Sequence, residues 1–115
     1  MNNPAYIIAR VQVHDWEAYS EYMKRTPRAI HQYGGRFIAR GAEPLTLEGE
    51  KETLRTVIIE FPSMENAKAF YHSEEYTATK KLREGAATAQ FVAIDGYLIE
   101  EWKEAVDNSQ KLGEA

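Results

Sequence analysis

The order of strand-like and helix-like segments constrains the fold of this chain most. Ala5–Val13 and Leu54–Phe61 alternate apolar and β-branched residues with a period of two, which is typical of β-strands. Arg36–Gly41 and Thr88–Ile99 are predicted as two further strands. Within each half of the chain, the segment between the strands repeats apolar residues every three or four positions, which favours helices. The sequence therefore predicts the order β-α-β-β-α-β.

Several short polar residues mark the predicted helix boundaries. Asp15, Ser63 and Ser73 each precede a helical segment, and each side chain can accept a hydrogen bond from a free backbone N–H. Pro27 removes a helical donor and disfavours helix at Thr26. We therefore expect the first helix to break there, with Thr26 capping a second piece.

The element order matches the ferredoxin-like split β-α-β arrangement, an α+β fold in which an antiparallel four-stranded sheet has helices on one face. The 115 residues suit one domain. We predict that domain over residues 1–100, followed by a charged helical tail over residues 101–115. The sheet face without helices is also partly apolar, at Tyr6, Ile8 and Ile58. A homodimer is the simplest source of a second sheet to cover it.

Composition and charge exclude several classes of protein. The net charge of −4 and the sequence pI of about 5.4 argue against nucleic acid or an anionic membrane as a partner. No apolar run approaches the roughly 20 residues that span a bilayer. The start, Met1-Asn2-Asn3-Pro4, lacks the basic and apolar regions of a signal peptide. We expect a cytoplasmic protein with neither nucleic acid nor membrane as partner.

The residue types also argue against metal and cofactor chemistry. The chain has no cysteine, which excludes disulfides and thiol catalysis. His14, His31 and His72 fit no zinc spacing, and the glycines form no nucleotide-binding motif. We therefore expect no metal and no cofactor.

Glu60 is the first candidate for chemistry, because it lies near the end of an apolar strand. A carboxylate in such a place must be paired, protonated or functional. One interpretation is a structural ion pair with Arg40, Arg10 or Arg83. The other is a general base or a substrate anchor in a pocket, where burial would raise its pKa toward neutrality.

Arginine and tyrosine residues complete the candidate site. Arg40 is assigned with Glu60 to catalysis, because a guanidinium group binds a carboxylate or phosphate through paired hydrogen bonds. The predicted substrate-binding residues are Arg10, Tyr71, Ser73, Tyr76 and Arg83. Exposed or structural roles are the alternatives for the arginines, and Ser73 is better explained as a helix N-cap than as a nucleophile.

A set of short segments in fixed order resembles the domain-of-unknown-function 1330 family, which belongs to the dimeric α/β-barrel superfamily. The segments are Gly34–Gly41, Leu47–Gly49, Ile59–Met64, Ala67–Tyr71, Ser73–Tyr76 and Arg83 with Gly85–Ala87. The resemblance covers about residues 5–99 and leaves the tail outside. It implies a ferredoxin-like protomer, a dimer in which two sheets pack together, and a pocket between sheet and helices. It does not imply a reaction.

Two functional hypotheses follow. In the first, the protein is an enzyme for a small acidic or aromatic metabolite and works by proton abstraction, as an isomerase or a cofactor-free monooxygenase. Arg40 and Arg83 would hold the substrate anion, Glu60 would move the proton, and Tyr71 and Tyr76 would orient the substrate. In the second, the chain is a non-catalytic homodimeric module that binds a small molecule or only itself.

Overall fold

A four-stranded antiparallel sheet forms the centre of the computed structural model, which describes residues 3–113. Its strands are β1 (Ala5–Val13), β2 (Arg36–Arg40), β3 (Arg55–Phe61) and β4 (Ala87–Asp95), in the spatial order β2-β3-β1-β4. The predicted α+β fold is confirmed. The parts of the predicted segments at residues 1–2 and 114–115 lie outside the described residues.

Four α-helices accompany the sheet within the described residues. They are α1 (Trp16–Gln32), α2 (Met64–Tyr71), α3 (Glu74–Lys80) and α4 (Ile99–Gly113), with a 3-10 turn at Lys81–Arg83 after α3. The three predicted N-caps are confirmed, since Asp15, Ser63 and Ser73 each accept a hydrogen bond from the backbone N–H three residues on. These bonds satisfy donors that a helix start leaves free.

The predicted break at Pro27 is wrong, because α1 continues through it. A proline inside a helix leaves the carbonyl four residues earlier without its usual donor. Here that carbonyl belongs to Met23, and two side chains replace the lost donor. The Arg40 Nη2 atom donates to it at 2.6 Å and the Thr26 hydroxyl at 3.3 Å. The helix therefore continues to Gln32, and Thr26 lies within it.

Leu45 and Leu47 lie in an irregular segment over residues 41–54 and are 82% and 89% exposed. Two predicted boundaries near the tail also change. The last strand ends at Asp95, and the helical tail begins at Ile99, inside the segment predicted as strand. Gly96 separates them, and its N–H donates to the Pro4 carbonyl at 2.7 Å.

The two faces of the sheet differ in burial. Odd-numbered residues of β1 and β3 face α1 and α2 and form the core; the most buried include Ala5, Ile7, Ala9, Val57, Ile59 and Phe61. Even-numbered residues of β1, β3 and β4 form the opposite surface, which we call the open face. Ile58, Ile8 and Val92 lie side by side across it in register. No described element covers this apolar row.

The predicted helical tail forms α4, which has no buried residue. Ile99, Trp102, Val106 and Leu112 lie on one side of it, and Trp102 is 56% exposed. The radius of gyration, 17.3 Å, exceeds the roughly 13 Å of a compact chain of this length. No helix in the described part of the chain is both long and apolar enough to cross a membrane.

Candidate functional site

A β-bulge in β2 turns Arg40 toward the helices. Phe37 lies opposite Ile59, but the register then shifts, so that Arg40 lies opposite Val57. Without the extra residue, Phe37 and Arg40 would lie on opposite faces of the sheet. The bulge places both on the helix side, where the Arg40 guanidinium carbon lies 4.3 Å from the centre of the Phe37 ring.

A cavity of about 30 Å³ lies between the sheet and α1, and we call it the central cavity. It has space for about one or two water molecules. Six aromatic residues contribute to its walls: Tyr19, Tyr22, Phe37, Phe70, Tyr76 and Phe91. The charged residues that line it are Arg40 and Arg55, and no carboxylate of the described residues does so.

Two buried tyrosine hydroxyls meet beside a buried arginine at one side of this cavity. The Tyr22 and Tyr76 hydroxyl oxygens lie 2.7 Å apart and share a hydrogen bond between α1 and α3. The Arg83 guanidinium carbon lies 5.5 Å from the centre of the Tyr22 ring and 5.0 Å from that of Phe91. Arg83 is 8% exposed, and its buried Nε has no hydrogen-bond partner within residues 3–113. The cavity wall is therefore backed by a cation without a paired carboxylate.

Burial determines the protonation of this cluster. It raises the pKa of Tyr22 well above the usual value, and the adjacent Tyr76 hydroxyl adds to the effect. Burial also raises the pKa of Tyr19, while the neighbouring Arg55 opposes the change. For Arg83, burial acts to lower the pKa, but the Tyr76 and Tyr22 hydroxyls outweigh it and the pKa rises. Tyr22 is thus a neutral hydrogen-bonding group at neutral pH, and Arg83 is a permanent cation.

Arg55 is a site residue that the sequence analysis missed. It begins β3 and shares the inward face of that strand with Val57 and Ile59, so it lines the central cavity. Its guanidinium carbon lies 5.7 Å from the centre of the Trp16 ring, and its buried Nε has no hydrogen-bond partner in the described chain. The period-two alternation of β3 predicts that Arg55 faces inward, because residue 55 is odd-numbered like the core positions Val57 and Ile59.

Glu60 lies on the other side of the sheet from this cavity. It stands opposite Arg36 in the β2–β3 register, and the Arg36 Nε donates to its carboxylate at 3.1 Å. The expectation that Glu60 and Arg40 share one pocket is therefore wrong, because the period of two and the bulge place them on opposite faces. A catalytic role for Glu60 is untested and stays a prediction.

The ion-pair partner of Glu60 also differs from the sequence-based expectation. We expected Arg40, Arg10 or Arg83. Arg10 instead donates two hydrogen bonds to Glu52, at 2.9 and 2.7 Å, from the open face. This contact lowers the pKa of Glu52 below its usual value. Arg10 therefore lies apart from the central cavity.

Tyr71 and Ser73 lie near the cavity but do not line it. The Tyr71 hydroxyl accepts a hydrogen bond from Lys80 Nζ at 3.0 Å, and its ring borders a separate groove of about 250 Å³ beside β4. The Ser73 hydroxyl donates to the Phe70 carbonyl at 2.7 Å and accepts from the Tyr76 N–H at 3.0 Å. The first of these bonds lies at the end of α2, and the second caps the start of α3. Of the predicted residues, the structure brings together Arg40, Tyr76 and Arg83.

Between residues 3 and 113, no group of three or more histidine or acidic side chains could hold a metal ion. The chemistry available at the cavity is that of guanidinium groups, phenol hydroxyls and aromatic rings.

The fold and the comparisons agree on the class of protein. The chain is an α+β protein of the ferredoxin-like type, with a four-stranded antiparallel sheet and helices on one face. The family model described as "Domain of unknown function (DUF1330)" matches residues 4–97, most of the chain. The chain therefore belongs to the DUF1330 family, as the sequence segments indicate. A comparison with curated protein sequences gives no significant match.

Solved structures with the same fold include three that are informative here. A Rhodopseudomonas palustris protein of unknown function has a TM-score of 0.68 and 20% identity, over 85% of each chain. SnoaB of Streptomyces nogalater, described as a cofactor-independent oxygenase, has a TM-score of 0.57 and 11% identity, over 84% of this chain and 95% of that one. A Bacteroides fragilis protein, described as dimeric with a ferredoxin-like fold, has a TM-score of 0.50 and 14% identity, over 81% of this chain and 96% of that one. At these identities the similarity is one of fold.

Proposed function

We propose that this protein binds a small organic anion through the arginines beside the central cavity and acts on it as an enzyme. The observation that supports this most is the charge of the site. Arg40 and Arg55 line the cavity, Arg83 lies behind its aromatic wall, and no described carboxylate lines it. Uncompensated guanidinium groups next to a low-dielectric wall favour a carboxylate or phenolate ligand.

The aromatic walls favour a planar, electron-rich substrate. Guanidinium groups near a phenol stabilise its anion and so lower its pKa. Loss of a proton from the substrate would begin either an isomerisation or a cofactor-free oxidation. The description of SnoaB as a cofactor-independent oxygenase supports the second of these reactions. Glu60 lies on the open face without direct contact with the cavity, so the proton of a bound phenol would pass to solvent water, and the role of Glu60 as proton acceptor is left to the test below.

A non-catalytic binding module is the second candidate, and one observation favours it. Among residues 3–113, no carboxylate that could act as a general base lines the central cavity, while Glu60 and Arg10 are both held in ion pairs away from it. In this alternative the arginines only bind the anion, and the open face forms the contact between two copies.

Homodimerisation is part of either proposal. Ile8, Ile58 and Val92 form an apolar row across the open face, and Val92 is 46% exposed. A second sheet packed about 10 Å away would bury this row. The dimeric state described for the Bacteroides fragilis neighbour supports this arrangement.

The test compares binding and turnover on the same ligands. Benzoate, 4-hydroxybenzoate and hydroquinone are titrated calorimetrically, with benzamide as the uncharged control, and oxygen consumption is followed with the two phenols. We expect the acids to bind and benzamide not to bind. Binding without oxygen consumption or isomerised product would favour the module. Failure of every acid to bind would contradict both candidates, and turnover that survives Glu60→Gln would exclude Glu60 as the base.

A further inference from the structure

A groove that is larger than the central cavity lies at the outer surface of the site, and we call it the outer groove. It measures about 200 Å³ and lies between the start of α1 and the irregular segment before β3. Its walls include Trp16, Gly41, Pro44 and Leu54. Arg55 lines both the outer groove and the central cavity, and its side chain marks the boundary between them.

We propose that Arg55 anchors the carboxylate of a small aromatic acid in this outer groove. The inference deepens the proposed anion-binding function and rests on it. A carboxylate binds a guanidinium group best through two parallel hydrogen bonds, and the two Nη atoms present one such pair of N–H donors. The Nε of Arg55 is buried and unpartnered in the described chain, and none of residues 3–113 forms an ion pair with Arg55.

Gly41, which lies beside Arg55 in the structure, leaves room for the guanidinium group of Arg55. Gly41 has a φ of +75°, and a Cβ atom added there would lie 2.1 Å from the Arg55 guanidinium carbon. Any larger residue would displace the group and strain the backbone. Trp16 lies on another side of the same guanidinium group. A charged group seated in this way loses little conformational freedom when it binds a ligand.

The other residues of the outer groove define the ligand further. Trp16, Pro44 and Leu54 provide apolar surface for a ring. Glu43 also lines the groove but does not pair with Arg55. Its negative charge would repel a second anionic group on the ligand. The groove therefore fits an aromatic monocarboxylate better than a dicarboxylate.

The test uses benzoate as the probe and the full chain as the protein. Benzoate affinity is measured by calorimetry for the wild type, Arg55→Gln and the matched control Arg36→Gln, which removes an arginine from the other face of the sheet. We expect Arg55→Gln to weaken binding by about tenfold to a hundredfold, the usual effect of losing hydrogen bonds to a charged group. Arg36→Gln is expected to bind like the wild type.

Further measurements locate the ligand and protect the test against misfolding. Benzoate is expected to shift the indole N–H resonance of Trp16 and not that of Trp102. Arg55→Lys keeps the charge without the planar pair of donors, so we expect it to fold and to bind about tenfold more weakly. Phthalate is expected to bind the wild type more weakly than benzoate does.

The outcomes separate the two proposals. Benzoate that binds Arg55→Gln and Arg55→Lys as tightly as the wild type would overturn the role of Arg55 and leave the anion-binding function intact. An unchanged Trp16 resonance or an equal affinity for phthalate would overturn the assignment to the outer groove. A wild-type protein that binds no aromatic acid would overturn the proposed function, and this inference with it.

Discussion

Arg40 takes over a hydrogen bond that Pro27 makes impossible. The Met23 carbonyl would accept from the backbone N–H at position 27 in an ordinary helix, and proline has none. The 2.6 Å contact from Arg40 Nη2 to that carbonyl links β2 to the middle of α1. The same contact holds the guanidinium group at the wall of the central cavity. A residue that usually interrupts helices is thus linked to a cation at the wall of the central cavity.

The first prediction concerns the coupling of these two residues. Arg40→Gln is expected to lower the free energy of unfolding by about 1 kcal/mol, because the Met23 carbonyl loses a charged donor. In a Pro27→Ala background the restored backbone N–H can satisfy that carbonyl, so the same substitution should cost much less. Urea unfolding of the two single variants and the double variant measures the difference. Arg36→Gln in both backgrounds is the control, and an equal cost of Arg40→Gln in both would contradict the coupling.

At the scale of single elements, periodicity predicted most of the fold. The alternation in Ala5–Val13 gives β1 its observed bounds, and three short polar residues mark the observed helix starts. The predicted break at Pro27 was wrong because Arg40, a residue distant in sequence, is among the donors that replace the missing N–H. Rules based on neighbouring residues describe the helix alone, whereas the hydrogen-bond donor from β2 becomes visible only in the folded structure.

The candidate site was predicted less well, for a reason that lies in β2. One bulged residue moves Arg40 to the face opposite Glu60. The alternation of residues in so short a strand does not show where such a bulge lies. Arg55 was predictable from its parity with Val57, but it lies at the first position of β3, outside the segments that resemble the family. Glu60 pairs with Arg36, and this register becomes visible only when the strands are paired.

The contact between α1 and α3 gives a prediction on pH. Burial raises the pKa of Tyr22 above 10.0, the ordinary value that applies to the unfolded chain. Above pH 10 the unfolded state therefore loses this proton while the folded state keeps it, so stability falls as the pH rises. The slope is about 1.4 kcal/mol per pH unit for one such group. Tyr22→Phe should reduce the loss of stability between pH 10 and pH 11, as measured by urea unfolding.

Tyr97→Phe is the matched control, because the Tyr97 side chain is 63% exposed and lies in the segment between β4 and α4. It should keep the pH dependence of the wild type. A Tyr22→Phe variant with the full alkaline loss would show that the hydroxyl pair of Tyr22 and Tyr76 does not cause it.

At the scale of the whole molecule, two apolar surfaces have no partner within the described chain. One is the open face with Ile8, Ile58 and Val92, and the other is the apolar side of α4 around Trp102. The molecule measures 58 × 36 × 16 Å, so its thin dimension spans little more than a sheet and one layer of helices. Such a shape is expected if the chain forms half of the proposed dimer, and α4 would then offer a second surface for contact with the other copy.

The last prediction tests this assembly through the apolar row of the open face. Val92→Glu would bury a carboxylate twice in a symmetric dimer, once from each copy, and should weaken association by about a hundredfold or more. Leu45→Glu is the matched control, because Leu45 is 82% exposed in the irregular segment before β3. Light scattering after size-exclusion chromatography should give two copies for the wild type and Leu45→Glu, and one copy for Val92→Glu. A single copy of the wild type, or a Val92→Glu variant that keeps two copies, would show that another surface forms the contact or that none does.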